Sequence, residues 1–249
     1  TWVIYIRCKP GRGSHAARPG TDDARTLARF SDDDGVTWSA PIDLTPIARD
    51  MNDPDWNITV PGPGGAIQTS KGRLVVPCWR FPPYRAFVLY SDDHGKTWSR
   101  GDETPGDTAV DECQVVELSD GRLLLDGRQH GPHRWLFESN DGGRHWSDPR
   151  PGITVTPVMC AVERLSPSDK RLVWTGPEGP GRQHLRILVS DDNGRTFTHP
   201  RRLYEGPSAY SDLTVLPDGS IGVLWERGVE RNYQFITFTC VPLDFLPHE

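Results

Sequence analysis

The sequence has no apolar run near the ~18 residues a membrane-spanning helix needs, and no amphipathic segment of three helical turns. It holds only two methionines, and its five cysteines (Cys8, Cys78, Cys113, Cys160 and Cys240) are scattered, odd in number and without a CxxC pair. That pattern argues against a disulfide framework or thiolate metal site and for small apolar residues buried in strands. Positive charge is also scarce. The 28 Lys and Arg stand against 34 Asp and Glu, and the resulting net charge of −6 disfavours nucleic acid or an anionic membrane as the main partner. The eight histidines show no metal-ligand spacing, and no cofactor is expected. No linker or shift in composition divides the chain, so residues 1–249 read as one domain, long enough to bury a sizeable core. No signal peptide is visible and the compartment stays open. The chain opens on Thr1-Trp-Val-Ile-Tyr5, already a strand pattern, so the start of the domain is expected upstream of Thr1.

What the chain has in quantity is turns. It carries 25 Gly and 23 Pro, and one turn pattern occurs four times: Ser31-x-Asp33-x-Gly35-x-Thr37-Trp38, Ser91-x-Asp93-x-Gly95-x-Thr97-Trp98, Ser139-x-Asp141-x-Gly143-x-His145-Trp146 and Ser190-x-Asp192-x-Gly194-x-Thr196-Phe197. An Asp can bond backbone amides inside a tight turn, Gly supplies a left-handed backbone angle, and the closing aromatic can plug the gap beneath. Apolar runs precede each copy (25–30, 86–90, 134–137 and 185–189) and read as strands, which makes each copy a hairpin corner. The serines stand 60, 48 and 51 residues apart. A period near fifty with several short strands per unit predicts an all-β propeller. A calcium-loop reading fails, because Phe30 and Tyr90 occupy the first loop position and no Glu closes a twelve-residue loop.

The corners also locate a second rim. A strand advances roughly 3.3 Å per residue, so eight to eleven residues span about 26–36 Å. Asp22 and Asp23 lie nine and eight residues before Ser31, Arg128 lies eleven before Ser139, and Arg182 lies eight before Ser190. With the corners on one rim, an acid and two arginines from three blades collect on the other. Arg80, eleven before Ser91, also qualifies and reads as an ordinary rim residue.

The four corners match the Asp-box, or bacterial neuraminidase repeat, and further segments resemble exo-α-sialidases of the bacterial and animal type. Gly62-Pro-Gly-Gly-Ala-Ile-Gln68 is similar to the family's Gly-Pro-Gly-x-Gly-Ile-Gln loop, with Ala66 in place of the usual Gly. Asp111-Glu112-Cys113-Gln-Val-Val-Glu117-Leu118, with Arg128 sixteen residues beyond Glu112, resembles the segment of the catalytic Glu. Arg182-Gln-His-Leu185 resembles the segment of the third carboxylate-binding arginine. Gly206-Pro-Ser-Ala-Tyr-Ser-Asp-Leu213 resembles the nucleophile segment, and Leu224-Trp-Glu226 with Tyr233-x-x-Ile236 its continuation. The resemblance spans the chain in the family's order. It implies a six-bladed propeller, with the first blade incomplete here, and a sialylated glycan as substrate.

The resemblance also implies roles. A sialoside carries a carboxylate on its reacting carbon, which arginine forks suit and which repels an Asp or Glu nucleophile. Tyr210 is then the nucleophile and Glu112 the carboxylate that takes its proton. Arg128 and Arg182 match two of three carboxylate-binding arginines; the segment that carries the first is not found. Asp22 and Asp23 are both admissible as the acid/base. Arg7 resembles an arginine that contacts the sugar ring, and it reads equally as a strand-end surface residue. Glu117 reads as structural and Glu226 as a partner that orients an arginine. The alternative is a non-catalytic propeller that binds an acidic glycan or a protein, a reading that the joint presence of Tyr210 and Glu112 disfavours. A degenerate sialidase that folds without turnover is a third reading.

Overall fold

The computed structural model describes residues 1–13, 15–167 and 169–246. The first sheet holds β1 (Trp2–Cys8), β2 (Ala24–Phe30) and β3 (Ile42–Asp43), followed by a single helical turn, Thr45–Ala48. The second holds β4 (Ile58–Pro61), β5 (Ile67–Gln68), β6 (Leu74–Phe81), β7 (Arg85–Ser91) and β8 (Ser99–Arg100). The third holds β9 (Cys113–Glu117), β10 (Leu123–Gly127), β11 (His133–Ser139) and β12 (Arg150–Thr154). The last holds β13 (Ala161–Arg164), β14 (Leu172–Pro177), β15 (Gln183–Ser190), β16 (Thr198–Val215), β17 (Ile221–Arg227) and β18 (Phe235–Val241). The fold is all-β, a propeller-like arrangement of four sheets where six blades are expected. Part of the difference lies in β16. Its first half pairs with β15 and its second half with β17, so two four- and three-stranded halves merge into one six-stranded sheet. Among the described residues no helix is long and apolar enough to cross a membrane.

The corners have one construction. The Ser31 hydroxyl donates to Asp33 Oδ1 and accepts the Gly35 N–H, both at 2.8 Å. Asp33 in turn accepts the Thr37 N–H at 2.8 Å and the Thr37 hydroxyl at 2.6 Å. The two 2.8 Å serine contacts recur at Ser91, Ser139 and Ser190, and all four serines are buried. Two consecutive left-handed residues turn each corner: Asp34, His94, Gly142 and Asn193, each followed by its box glycine at φ 77–90°. Trp98 and Trp146 are buried beneath their corners, whereas Trp38, though its ring N–H donates to the Gly35 carbonyl at 3.0 Å as that of Trp98 does to Gly95, stays exposed.

Register places the corners opposite the arginine rim. In the third sheet Glu117, Leu123 and Ser139 share one end while Cys113, Gly127 and Trp135 share the other. Glu112 and Arg128 therefore stand at the end away from the corner. In the last sheet Ser190 pairs with Leu172 and Gln183 with Pro207, which sends Arg182 and the start of the inner half of β16 to the same far end. In the first sheet Trp2 pairs with Phe30 and Cys8 with Ala24, so Arg7, Asp22 and Asp23 share that rim too.

The core lies between successive sheets, as alternating strand faces dictate. Val76, Phe87 and Leu89 meet Ala28 and Leu44; Val75 and Val88 meet Val115, Leu125 and Phe137; Leu124 and Leu136 meet Trp174 and Leu188. One buried ionic cluster crosses the third and last sheets. Arg134 donates to Asp126 Oδ1 at 2.7 Å and to the Val158 carbonyl at 2.7 Å, and Trp174 Nε1 donates to Asp126 Oδ2 at 2.9 Å. Arg80, expected as an ordinary rim residue, is buried instead. It bonds Asp53 and Glu103, each at 2.9 Å, and its guanidinium lies 3.9 Å from the Trp56 ring. All five cysteines are free. Cys78, Cys113 and Cys160 are buried, but Cys8 is only partly so and Cys240 is exposed on β18, contrary to the expectation for strand cysteines. The outward face of β17 and β18 leaves Leu224, Ile236 and Phe238 exposed.

Two outcomes follow from this packing. Asp126→Ala strands the Arg134 charge and the Trp174 N–H, and is expected to cost about 3–5 kcal/mol in denaturant unfolding, the scale for breaking a buried pair. An unchanged midpoint would refute the role of the cluster. The corners also set an acid limit. Hydrogen bonds from Thr37 hold the Asp33 carboxyl at about 2, and those from Thr97 hold Asp93 at about 2, both below the usual 3.8. Their stabilisation is complete above pH 4 and is lost as pH falls from about 4 to 2. Melting temperature measured across that window should fall less steeply in Asp93→Asn than in the parent.

Candidate active site

Strand starts bring charged and phenolic groups together on the rim away from the corners. The Gly62 carbonyl accepts the Cys113 N–H at 3.4 Å, which seats the Gly62–Gln68 loop against the segment of Glu112. A side chain at Gly64 would meet Met159 Cε at 2.6 Å and Gln114 Cβ at 3.0 Å, so this close approach favours glycine. The Asp111 N–H bonds the Arg128 carbonyl at 3.1 Å and the Arg128 N–H bonds the Glu112 carbonyl at 2.9 Å, continuing the ladder of β9 and β10. The Ser208 N–H bonds the Arg182 carbonyl at 3.0 Å, two residues before Tyr210.

Four of the anticipated residues meet. The Tyr210 hydroxyl donates to Glu112 Oε1, and Arg128 Nη1 donates to Glu112 Oε2. Arg128 Nη1 also reaches the Tyr210 oxygen at 3.4 Å. The Arg182 guanidinium carbon lies 5.5 Å from the centre of the Tyr210 ring. Burial raises the Tyr210 phenol well above its usual range, and the hydrogen bond to Glu112 and that carboxylate's charge add to the shift; Arg128 and Arg182 pull against it. Burial opposes the Arg128 charge, but Asp111 and Glu112 outweigh it and hold the guanidinium firmly protonated. The arrangement can pass a proton from the phenol to Glu112 while two cations steady the developing phenolate.

The other three anticipated residues stand apart. Among the described residues no hydrogen bond or ion pair joins Arg7, Asp22 or Asp23 to these four. Asp22 is half exposed and paired with Lys9 and, at 3.3 Å, Arg25; the Lys9 hydrogen bond lowers its pKa. Asp23 is buried and held by Arg18 at 2.8 and 3.2 Å, which lowers its pKa strongly. Both shifts run opposite to the need of a general acid. Arg7 is exposed on β1.

Glu226 accepts the Tyr210 backbone N–H at 3.1 Å, and among the described residues no arginine pairs with it. The register of β16 shifts between Ser208 and Ser211, which takes the Tyr210 amide out of the ladder and leaves it for Glu226. Glu117 is structural: it accepts from Ser70 at 2.7 and 2.9 Å and pairs with Arg164 at 3.3 Å. A cavity of about 270 Å³ opens beside Tyr210, lined by Met159, Asp212, Leu224, Glu226 and Ile236. Glu112, Arg128 and Arg182 are not in its lining. Sequence reasoning missed Asp111 and His130. Asp111 Oδ1 lies 3.6 Å from Arg128 Nε, and His130 Nε2 lies 3.3 Å from Asp111 Oδ2. The signal was present, since both residues flank positions already singled out.

Residues 3–223 match the family of the BNR repeat-like domain. The chain is 32% identical to a sialidase of Micromonospora viridifaciens over 89% of its own length and 37% of that protein's. It is also 32% identical to a sialidase of Bacteroides fragilis over 97% of its length and 47% of the relative's. The chain thus spans less than half of these two relatives. Among solved structures, the Hadza microbial sialidase Hz136 superposes with a TM-score of 0.84 at 28% identity, over 98% of this chain and 50% of that one. With its four box corners and the match along most of its length, this chain belongs to the BNR repeat-like family, within the sialidase superfamily.

Proposed function

We propose that this chain is the catalytic part of a retaining exo-α-sialidase. The observation that carries the reading is the contact of Tyr210, Glu112 and Arg128 at one rim. A phenol is neutral until its proton leaves, so it can approach a reacting carbon that bears a carboxylate where an anionic nucleophile is repelled. Arg128 and Arg182 bind that carboxylate. Tyr210 attacks the anomeric carbon as Glu112 takes the phenol proton, and the bond to the leaving oxygen breaks as an acid protonates it. Water, giving a proton to the carboxylate left by that acid, then attacks the anomeric carbon; its bond to the Tyr210 oxygen breaks, and the phenol regains its proton from Glu112.

Asp22 and Asp23 remain the proposed acid/base pair. Asp22 fits better, because it is half exposed and its partners are surface cations, whereas Asp23 is buried in a two-point pair with Arg18. Asp22 serves once bound substrate separates it from Lys9 and Arg25 and raises its pKa. Arg7, on the same rim, is proposed to contact the sugar ring. A six-bladed ring is proposed for the whole domain; the open apolar face of Leu224, Ile236 and Phe238 supports a further sheet packed there.

The mechanism predicts that Tyr210→Phe lowers turnover of an aryl sialoside by at least about a hundredfold, the scale for losing a nucleophile. Proton NMR of the first-formed sugar should show retention. Inversion, or an unimpaired Tyr210→Phe protein, would defeat the reading. Arg182→Gln should raise KM by about ten- to a hundredfold, as expected for one lost charge-assisted hydrogen bond to a carboxylate. An unchanged KM would remove Arg182 from the carboxylate site.

A further inference from the structure

Arg128 meets both Glu112 and Tyr210 through one nitrogen, Nη1. Its Nε is buried, makes no hydrogen bond and lies 3.6 Å from Asp111 Oδ1. Among the described residues Nη2 has no hydrogen-bond partner. The Asp111 side chain is 8% exposed, and its other oxygen lies 3.3 Å from His130 Nε2. His130 is itself in ring contact with Tyr84 at 5.6 Å.

A second buried carboxylate here is costly. Glu112 already balances the Arg128 charge, and burial works against ionised Asp111 and raises its pKa. What Asp111 adds is geometric. A guanidinium is a flat fork, and a contact on one nitrogen alone lets it swing about that point. A second anchor on the Nε edge stops the swing. We propose that Asp111, oriented by His130, is a positioning residue that fixes the Arg128 guanidinium and presents Nη2 to an incoming carboxylate while Nη1 stays on Glu112 and Tyr210. The identity of that carboxylate rests on the sialidase reading, whereas the anchoring of Arg128 does not.

The experiment uses the whole chain and two readouts. The first is solvent exchange of the Arg128 Nε–H by NMR, with the signal assigned by its loss in Arg128→Lys. The second is steady-state hydrolysis of an aryl sialoside. In Asp111→Ala, Nε–H exchange should speed up, KM should rise about tenfold and kcat should stay within about twofold, the pattern of lost substrate binding. Asp111→Asn keeps an acceptor oxygen and should return KM to within about threefold of the parent. Unchanged exchange or unchanged KM in Asp111→Ala overturns the proposal, as does a fall in kcat that Asn does not restore. Should Asp111→Ala fail to fold, His130→Ala at its exposed position decides: faster exchange and a raised KM support the proposal, and no change in either overturns it. A parent that hydrolyses no sialoside while Asp111→Ala still speeds the exchange defeats the sialidase reading and leaves the anchoring of Arg128 standing.

Discussion

The buried carboxylate of Asp126 is the point on which the arrangement turns. It sits on β10, two residues before Arg128, and it is bound at once by Arg134 of the neighbouring strand and by Trp174 of the next sheet. Arg134 also reaches the Val158 carbonyl, just ahead of β13. Alternating apolar faces would let two sheets slide a residue past each other at modest cost. A buried charge whose partners come from both sheets does not permit it, because any slip leaves a donor or an ion unpaired. The position of Glu112 and Arg128 relative to Tyr210 is thereby set from below, by groups that hydrogen-bond to none of the three.

Above that cluster the local charge is nearly balanced. Two arginines face two carboxylates and a phenol in a partly buried space, where each interaction is stronger than at the open surface. The phenol is kept protonated first by burial and then by the carboxylate that it donates to, while Arg128 and Arg182 pull the other way. On the proposed reading, that is a resting state suited to a neutral nucleophile.

The corners and the strands before them were legible in the sequence because each depends on a few adjacent residues: a serine, an aspartate and a glycine at fixed offsets with an apolar run ahead. The rim was legible from the same offsets, since a strand has one length per residue. The resemblance supplied Tyr210, Glu112, Arg128 and Arg182, and these four do meet. What stayed hidden depends on contacts between distant segments. Arg80 looks like any rim arginine until Asp53, Glu103 and Trp56 close around it. Asp22 and Asp23 look alike in sequence, and only distant contacts tell them apart: Lys9 pairs with Asp22 at the surface and Arg18 with the buried Asp23. Glu226 looked like an arginine's partner, but the bulge in β16 gives it a backbone amide instead. Trp38 holds the same place in its corner as the buried Trp98 and Trp146, and Cys240 lies on a strand as Cys78 does, yet both are exposed.

β16 belongs to two halves of one sheet, and its partner changes at the residues just before Tyr210. A tandem array grows most readily when its units are divided in loops, where a copied segment can be spliced in without disturbing strand pairing. Here the division runs through the middle of a continuous strand. Duplicating or deleting a unit at this place would separate Tyr210 from either the Arg182 side or the Glu226 side of its surroundings. The loops that join the other sheets carry no such shared strand, so the phenol sits where the array is least free to be rearranged.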